Sequence, residues 1–220
     1  IWGVTLPFDR RLVVLHQFTC FWGSLYTWLN PAWPVTILGR EKLDSHRAVV
    51  MVANHLSFLD ILVLFRLFSH FKWVSKIENF RAPFIGWNMS LNRYIPLNRG
   101  SKKSVLQMMQ ACEKTLQAGS SIMMFPEGTR SKDGNLQPFK PGAFALARQL
   151  NVPVIPIAIE GGYQLVAKHS GTLSRKVRLR AHILEPMSPE GFDDDSGFAD
   201  AVHARIAREL THRNEVQNSA

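Results

Sequence analysis

Short apolar runs alternate with helix-like segments along most of the chain after residue 34. The runs are rich in β-branched residues and end at polar ones, which is typical of buried strands. Strands are predicted at 35–38, 49–53, 72–75, 94–97, 122–125, 154–159 and 177–184. Helices are predicted at 58–68, 83–91, 102–118, 142–150 and 197–213. This alternation predicts an α/β fold with a mixed, largely parallel sheet flanked by helices.

The beginning of the chain departs from this pattern. Residues 12–29 are mostly apolar or aromatic, with polar interruptions at His16, Gln17, Thr19 and Ser24. A membrane-spanning helix needs roughly 20 apolar residues, so the interruptions better suit a helix that lies in the membrane interface. Aromatic side chains that would sit at headgroup level are Trp22, Tyr26, Trp28 and Trp33. The alternative is an amphipathic helix packed on the rest of the protein.

This difference predicts two parts: residues 1–34 as a membrane-associating helical segment, and residues 35–220 as one globular domain. A chain of 220 residues is long enough for one sizeable core. The chain begins at Ile1 without a methionine, and we expect it to be part of a longer protein.

The charge balance narrows the range of partners. The chain has 26 Lys and Arg against 17 Asp and Glu, giving a net charge of +9. Such an excess favours nucleic acid, acidic lipid surfaces or phosphorylated small molecules. No nucleic-acid-binding motif is recognisable, and the basic residues are not gathered on one helix, so we do not expect nucleic acid as a partner. The two cysteines have neither disulfide-framework nor zinc-site spacing, which favours a reducing compartment.

Candidate chemistry first appears after the predicted strand 49–53. His55 and Asp60 follow it with four residues between them, so His55 should lie in a loop and Asp60 in the first turn of a helix. Such a histidine can take a proton from a hydroxyl, while the carboxylate fixes its tautomer and stabilises the imidazolium. The alternative is that Ser57 and Asp60 form a capping box and His55 merely ends a strand.

A second polar turn follows the predicted strand 122–125. Gly128 permits close approach of the backbone to a ligand, Thr129 and Ser131 offer hydroxyl groups, and Arg130 offers a bidentate fork for phosphate. The alternative is a solvated loop in which Arg130 pairs with Glu127.

Together the two segments resemble the motifs of the glycerolipid acyltransferase family, and within it those of the PlsC-like lysophosphatidic acid acyltransferases. Residues 54–60 match the first motif, NHxSxxD, and residues 125–131 match the third, FPEGTRS. Residues 152–157 resemble the fourth, a proline-punctuated strand. The resemblance covers residues 35 to 185 and implies the same α/β fold, with the acyltransferase domain at 35–220.

The second family motif is only partly kept. It corresponds to residues 94–100, where Asn98 stands in place of the usual Asp and Arg99 is retained. The substitution leaves the acceptor less well defined than the chemistry. Lys76, after the predicted strand 72–75, is a further candidate cation; the alternative is a solvated surface lysine.

The resemblance implies transfer of a fatty acyl group from a thioester to a glycerolipid hydroxyl, with His55 as general base and Asp60 as its partner. Backbone N–H groups after His55 or in the Gly128 turn are candidate donors to the oxyanion. Glu127 would bind a glycerol hydroxyl or lock Arg130 in place. The residues expected to bind substrate are Lys76, Arg99, Glu127, Gly128, Thr129 and Arg130.

No metal or cofactor is expected beyond the co-substrate, a thioester of coenzyme A or of acyl carrier protein. The expected acceptor is lysophosphatidic acid, and the expected location is the cytoplasmic face of the inner or cell membrane. Glycerol-3-phosphate, another lysophospholipid or an amino-acid lysolipid remains an alternative acceptor. A non-catalytic membrane-binding module is also open. A serine hydrolase is not expected, because no G-x-S-x-G elbow occurs.

Overall fold

A computed structural model describes residues 2–5, 7–43, 47–163 and 176–218. The remaining parts of the predicted domains (residues 1, 6, 44–46, 164–175 and 219–220) lie outside the described residues. The helices are α1 (Trp2–Thr5), α2 (Val13–Trp28), α3 (Leu59–Phe65), α4 (Ile85–Leu91), α5 (Lys102–Gln117), α6 (Gly142–Gln149) and α7 (Asp195–Asn218). The strands are β1 (Val35–Leu38), β2 (Val50–Ala53), β3 (Phe71–Lys76), β4 (Ile95–Leu97), β5 (Ser121–Met124), β6 (Val154–Glu160) and β7 (Leu179–Ile183). Two 3₁₀ turns lie at Arg40–Lys42 and Ile77–Arg81.

The strands form one sheet in the order β1-β7-β6-β2-β5-β3-β4. The five strands from β6 to β4 are parallel to one another. β7 pairs antiparallel with β6 and parallel with β1, so these two run the other way. The predicted mixed, largely parallel sheet is therefore confirmed, and each predicted strand is present within about two residues of its predicted bounds.

Helices cover both faces of the sheet, which explains why its central strand β2 is apolar throughout. Val49, Met51 and Ala53 point into the core on the side of α2, α3 and α4. Val50 and Val52 alternate with them and pack on the other side, against α5, α6 and α7. Strands that are buried on both faces have no polar positions to show a two-residue period.

α2 packs on this body with its polar residues inward. His16 is fully buried, with Nδ1 2.8 Å from the Tyr94 hydroxyl and Nε2 3.0 Å from the Ser69 carbonyl. The Thr19 hydroxyl, also buried, donates to Asn88 on α4 at 2.9 Å. Three of the four interruptions that suggested an interfacial helix, His16, Gln17 and Thr19, are therefore sites of hydrogen bonding to the domain. The buried Ser24 hydroxyl has no hydrogen-bond partner among the described residues.

The outward side of α2 is apolar. Residues that remain substantially exposed there are Val14, Phe18, Phe21, Trp22, Tyr26, Trp28 and Leu29. On the neighbouring α4, Trp87 is 63% exposed, and Phe84, Ile85 and Leu91 are exposed too. We call these eleven residues on and beside α2 and α4 the aromatic face. Among the described helices, none combines the length and hydrophobicity that crossing a bilayer requires.

Candidate active site

The carboxyl ends of the five parallel strands meet at one edge of the sheet, which is where ligands gather in open α/β folds. β2 leads into His55, β3 ends at Lys76, and β4 is followed by Arg99. β5 leads into the turn at Glu127, and β6 leads into Gly162. The topology therefore brings sequence-distant segments to a common site.

His55 and Asp60 form a direct pair. His55 Nδ1 lies 2.9 Å from Asp60 Oδ2, so Nδ1 carries the hydrogen and Nε2 is left to act as a base. Asp60 is completely buried, whereas the His55 side chain is 15% exposed. The predicted placement of His55 in a loop and Asp60 in the first turn of α3 is confirmed.

Asp60 also performs the helix-capping work that was considered as an alternative. Its Oδ2 accepts hydrogen bonds from the backbone N–H groups of Leu56 at 2.6 Å and Ser57 at 2.7 Å. The alternative in which Ser57 and Asp60 form a capping box is met in part: the Ser57 hydroxyl accepts from the backbone N–H of Leu59 at 3.2 Å, although the N-cap residue of α3 is Phe58, one position later. Because these donors hold the carboxylate in place, the two interpretations of Asp60 are compatible.

Glu127 ties the second turn to the first. Its Oε1 accepts from the backbone N–H of His55 at 2.6 Å, and its Oε2 accepts from that of Gln137 at 3.1 Å. Burial raises the pKa of this carboxyl from 4.5 to about 7, against the opposing effect of the two backbone hydrogen bonds. Within the described chain Glu127 makes no salt bridge to Arg130, so the predicted locking of Arg130 is not what its carboxylate does.

Two further contacts join the His55 loop to the turn after β5. The His55 ring stacks on Phe125, with centroids 3.9 Å apart and planes 9° from parallel. The Ser131 backbone N–H donates to the His55 carbonyl at 2.8 Å. Contacts from Asp60, Glu127, Phe125 and Ser131 therefore hold His55 in place.

An apolar cavity of about 760 Å³ opens from His55. It passes between α2, α3, α4 and β3, and its walls include Gly23, Phe65, Trp73 and Met89. Its volume and apolar walls suit an extended hydrocarbon chain.

Cations border the polar end of this cavity. Lys76, Arg99 and Lys140 line it, and we call these three residues the cation rim. Lys76 forms an exposed salt bridge of 3.2 Å with Glu78. Arg99 sits in the turn before α5 and has no salt-bridge partner among the described residues. Arg130 is exposed and is not among the described residues that line the cavity; its role as a phosphate ligand remains a prediction, as does that of Thr129.

The predicted oxyanion donors are largely occupied. The N–H groups of Leu56 and Ser57 bond to Asp60, and that of Gly128 bonds to the Phe125 carbonyl at 3.0 Å. Each of these three N–H groups carries one hydrogen and already donates it to an acceptor within the protein. The oxyanion donors remain a prediction for the other N–H groups of these two turns.

Sequence reasoning missed two residues at the site. Lys140 lies nine positions after the end of the recognised turn, and only the fold brings its side chain over Gly128. Gly162 packs against Asp60 and Ser57: a Cβ added there would lie 2.7 Å from Asp60 Oδ1 and 2.8 Å from the Ser57 hydroxyl. The available signals were a lysine before Pro141 at the start of α6 and a Gly-Gly pair directly after an apolar strand.

A protein-family model described as Acyltransferase matches residues 34–160. The 1-acyl-sn-glycerol-3-phosphate acyltransferase of Chlamydomonas reinhardtii is 36% identical over 94% of this chain and 62% of its own length. A chloroplastic 1-acyl-sn-glycerol-3-phosphate acyltransferase of Brassica napus is 38% identical over 83% of this chain and 53% of its own. The Saccharomyces cerevisiae protein of that name is 32% identical over 80% of this chain and 59% of its own. The chain thus spans about half to six-tenths of the length of these relatives.

Among solved structures, the 1-acyl-sn-glycerophosphate acyltransferase of Thermotoga maritima superposes with a TM-score of 0.74. The match covers 92% of this chain and 80% of that one, at 23% identity. At this identity the likeness concerns the fold.

Proposed function

Because the chain belongs to the acyltransferase family, we propose that it transfers a fatty acyl group to the free hydroxyl of lysophosphatidic acid. The product is phosphatidic acid, an intermediate of phospholipid biosynthesis. The donor is an acyl thioester of coenzyme A or of acyl carrier protein. The observation that carries the proposal is the His55–Asp60 pair at the polar end of an apolar cavity. The names of the relatives support the acceptor.

In the proposed reaction, His55 Nε2 removes the proton from the acceptor hydroxyl as its oxygen attacks the thioester carbonyl. The tetrahedral oxyanion then collapses, the carbon–sulfur bond breaks, and His55 returns the proton to the leaving thiolate. Asp60 keeps the hydrogen on Nδ1 and stabilises the imidazolium between the two transfers. General-base help of this kind contributes about 10²–10⁴-fold to the rate.

The cavity would hold one hydrocarbon chain while the rim holds the charged end of a substrate. Burial of apolar chain surface is favourable by about 25 cal/mol per Å². Placing the chain in the cavity brings the polar end of the lipid beside His55, which lies at the cavity's polar end. This arrangement supplies the proximity that a bimolecular transfer needs.

The base is tested by replacing His55 with Ala. We expect loss of nearly all acyl transfer from acyl-CoA or acyl carrier protein to lysophosphatidic acid, with an unchanged circular dichroism spectrum. His212→Ala, an exposed histidine on α7, is the matched control and should keep full activity. Near-normal turnover by His55→Ala would overturn the mechanism.

The acceptor is tested separately with the unaltered protein. Radiolabelled acyl transfer is measured with lysophosphatidic acid, glycerol-3-phosphate, lysophosphatidylcholine and an amino-acid lysolipid, each with both donors. The proposal expects the highest kcat/KM for lysophosphatidic acid. A higher value for another acceptor would reassign the substrate while leaving the chemistry in place, and no transfer to any of them would favour a non-catalytic module.

We also propose that the aromatic face contacts a membrane. A contiguous exposed apolar surface marks an interaction site, and the net charge of +9 favours anionic lipids. The cavity passes beneath this face, since Trp22 and Tyr26 on α2 and Ile85 on α4 are both exposed and part of its wall. Both cysteines are free and buried, in keeping with the cytoplasmic side of the membrane.

Membrane contact is tested by sedimentation with vesicles that contain phosphatidylglycerol. Phe18→Ser and Trp87→Ser should each weaken binding by about tenfold, because each removes a large exposed apolar group. Leu106→Ser is the control: this leucine is 61% exposed, but it lies on α5, on the opposite face of the sheet. Equal effects of all three substitutions would contradict a specific membrane face.

A further inference from the structure

Lys140 stands out among the cations of the site because of how its side chain is held. Its backbone N–H donates to the Pro126 carbonyl at 2.9 Å, which fixes the residue next to the turn after β5. From there the aliphatic stem crosses Gly128: a Cβ at position 128 would lie 3.4, 3.0 and 2.8 Å from Lys140 Cδ, Cε and Nζ. The side chain is exposed, and its stem and ammonium group lie over the turn.

Gly128 is what makes this path possible. Its φ of +77° is left-handed, a conformation that side chains rarely adopt, and its missing Cβ leaves the space that the lysine stem fills. The neighbouring Glu127 bonds to the backbone of His55. Lys140 is thus connected to the general base through two adjacent residues of one turn.

The charge of Lys140 is not neutralised by the protein. Within the described chain no carboxylate lies within salt-bridge distance of its Nζ, in contrast to Lys76, which pairs with Glu78. A cation at the mouth of an apolar cavity attracts an anion, and an ammonium group binds phosphate as a point charge.

We propose that Lys140 binds a phosphate group of a substrate during acyl transfer. The inference rests on the proposed function, because it needs a phosphorylated substrate at the His55 end of the cavity. Two substrates carry the required chemistry: the phosphate monoester of lysophosphatidic acid, and the phosphate groups of coenzyme A or of the carrier-protein prosthetic group. Lys140 touches the substrate through Nζ and takes no part in proton transfer.

Steady-state kinetics of Lys140→Ala and Lys140→Arg test the inference. KM is measured for the acceptor at saturating donor and for the donor at saturating acceptor, using the donor that wild type prefers. Loss of a charge-assisted hydrogen bond should raise one KM by about 10- to 100-fold with little change in kcat. Lys140→Arg keeps the charge and should recover most of the loss.

The arm that responds identifies the phosphate. A higher acceptor KM, together with a reduced preference for lysophosphatidic acid over monoacylglycerol, assigns the acceptor phosphate to Lys140. A higher donor KM assigns the donor phosphates. Lys114→Ala, an exposed lysine in the last turn of α5, is the matched control and should change neither KM.

Two results would overturn the inference. One is that both KM values of Lys140→Ala stay within twofold of wild type. The other is that Lys140→Arg is as impaired as Lys140→Ala while both have wild-type thermal unfolding curves, since charge is then not what matters. If the wild-type protein transfers no acyl group at all, the proposed function fails instead, so the two failures are distinguishable.

Discussion

In the His55 loop the polar side chains are hydrogen-bonded within the protein, whereas in the cation rim Arg99 and Lys140 have no ion-pair partner in the described chain. Asp60 alone accepts three hydrogen bonds through one oxygen. The cation rim borders the same cavity as His55. For the proposed reaction, the difference separates two requirements: a proton-transfer group must be held in one orientation, while a substrate-binding group must keep its charge available.

The largest expected effect is that of Asp60→Asn, which breaks the fixed side of this comparison. The amide of the asparagine has no charge to stabilise the imidazolium. If the amide rotates, its NH₂ group points at the backbone N–H groups of Leu56 and Ser57, which are donors as well. We expect kcat to fall by about 10²–10⁴-fold at saturating substrate. Asp133→Asn alters another carboxylate of the same edge, which bonds to Ser131 and Asn135, and should remain active. Comparable turnover by the two variants would refute the dyad.

A smaller effect is expected from Gly162→Ala, which leaves both His55 and Asp60 chemically unchanged but crowds the Asp60 side chain. The new methyl group would lie 2.7 Å from Asp60 Oδ1 and must displace it. Because misplacement of a reacting group is costly, kcat should fall by roughly 10- to 100-fold with KM little changed. Gly100→Ala is the control, since its nearest contact would be 3.6 Å away. A pure KM effect would show that the rim, rather than the fixed loop, is sensitive to crowding here.

Within the rim, Arg99 and Lys76 should differ. Arg99→Ala removes an unpaired cation and should raise a substrate KM by about tenfold. Lys76 already shares its charge with Glu78 in an exposed pair, so Lys76→Ala should raise KM by no more than about threefold. Both KM values are measured at low and high salt, because the contribution of an exposed cation is screened. The reverse order would mean that Lys76 leaves Glu78 when substrate binds.

The smallest effect concerns stability and the buried carboxyl of Glu127. Its pKa is raised in the folded state from 4.5 to about 7, so the folded protein binds more protons than the unfolded one between these values. Its contribution to stability is therefore present below pH 4.5 and is lost as pH rises towards 7. Across this window the decline should be on the order of 1 kcal/mol, allowing for partial solvent screening.

Urea unfolding of wild type and Glu127→Gln at several pH values between 4.5 and 7 measures this linkage. The glutamine variant should lose this part of the pH dependence, whatever its absolute stability. Glu190→Gln, on the surface, should keep the wild-type slope. Parallel curves for wild type and Glu127→Gln would show that the carboxyl is not responsible.

The sequence predicted the secondary structure and the pairing of His55 with Asp60 because those features are local. Apolar runs bounded by polar residues located β2 and β5 within about a residue, and the spacing of four intervening residues indicated the dyad. The sheet order was not predicted, since it depends on long-range pairings such as Val50 with Val154.

Other features were missed for related reasons. The partner of Glu127 is a backbone N–H 72 residues away, and no side-chain pattern encodes such a bond. Lys140 gains its position from Gly128, twelve residues earlier, only through the turn between them. The polar interruptions of α2 were interpreted as a sign of a helix in the membrane interface, with packing on the domain as the alternative, because sequence shows which residues share a helix face and not what that face contacts.

The inverted polarity of α2 has a practical consequence for protein engineering. Deleting residues 1–30 would do more than remove part of the proposed membrane contact: it would strip Thr19, Trp22, Gly23 and Tyr26 from the cavity wall and leave the Tyr94 hydroxyl without its partner His16. A truncated protein would be expected to lose substrate retention whether or not it needs a membrane. A more soluble version is better sought by replacing exposed apolar residues of α2, such as Val14, Phe18 and Phe21, with polar ones and leaving the buried residues of α2 unchanged.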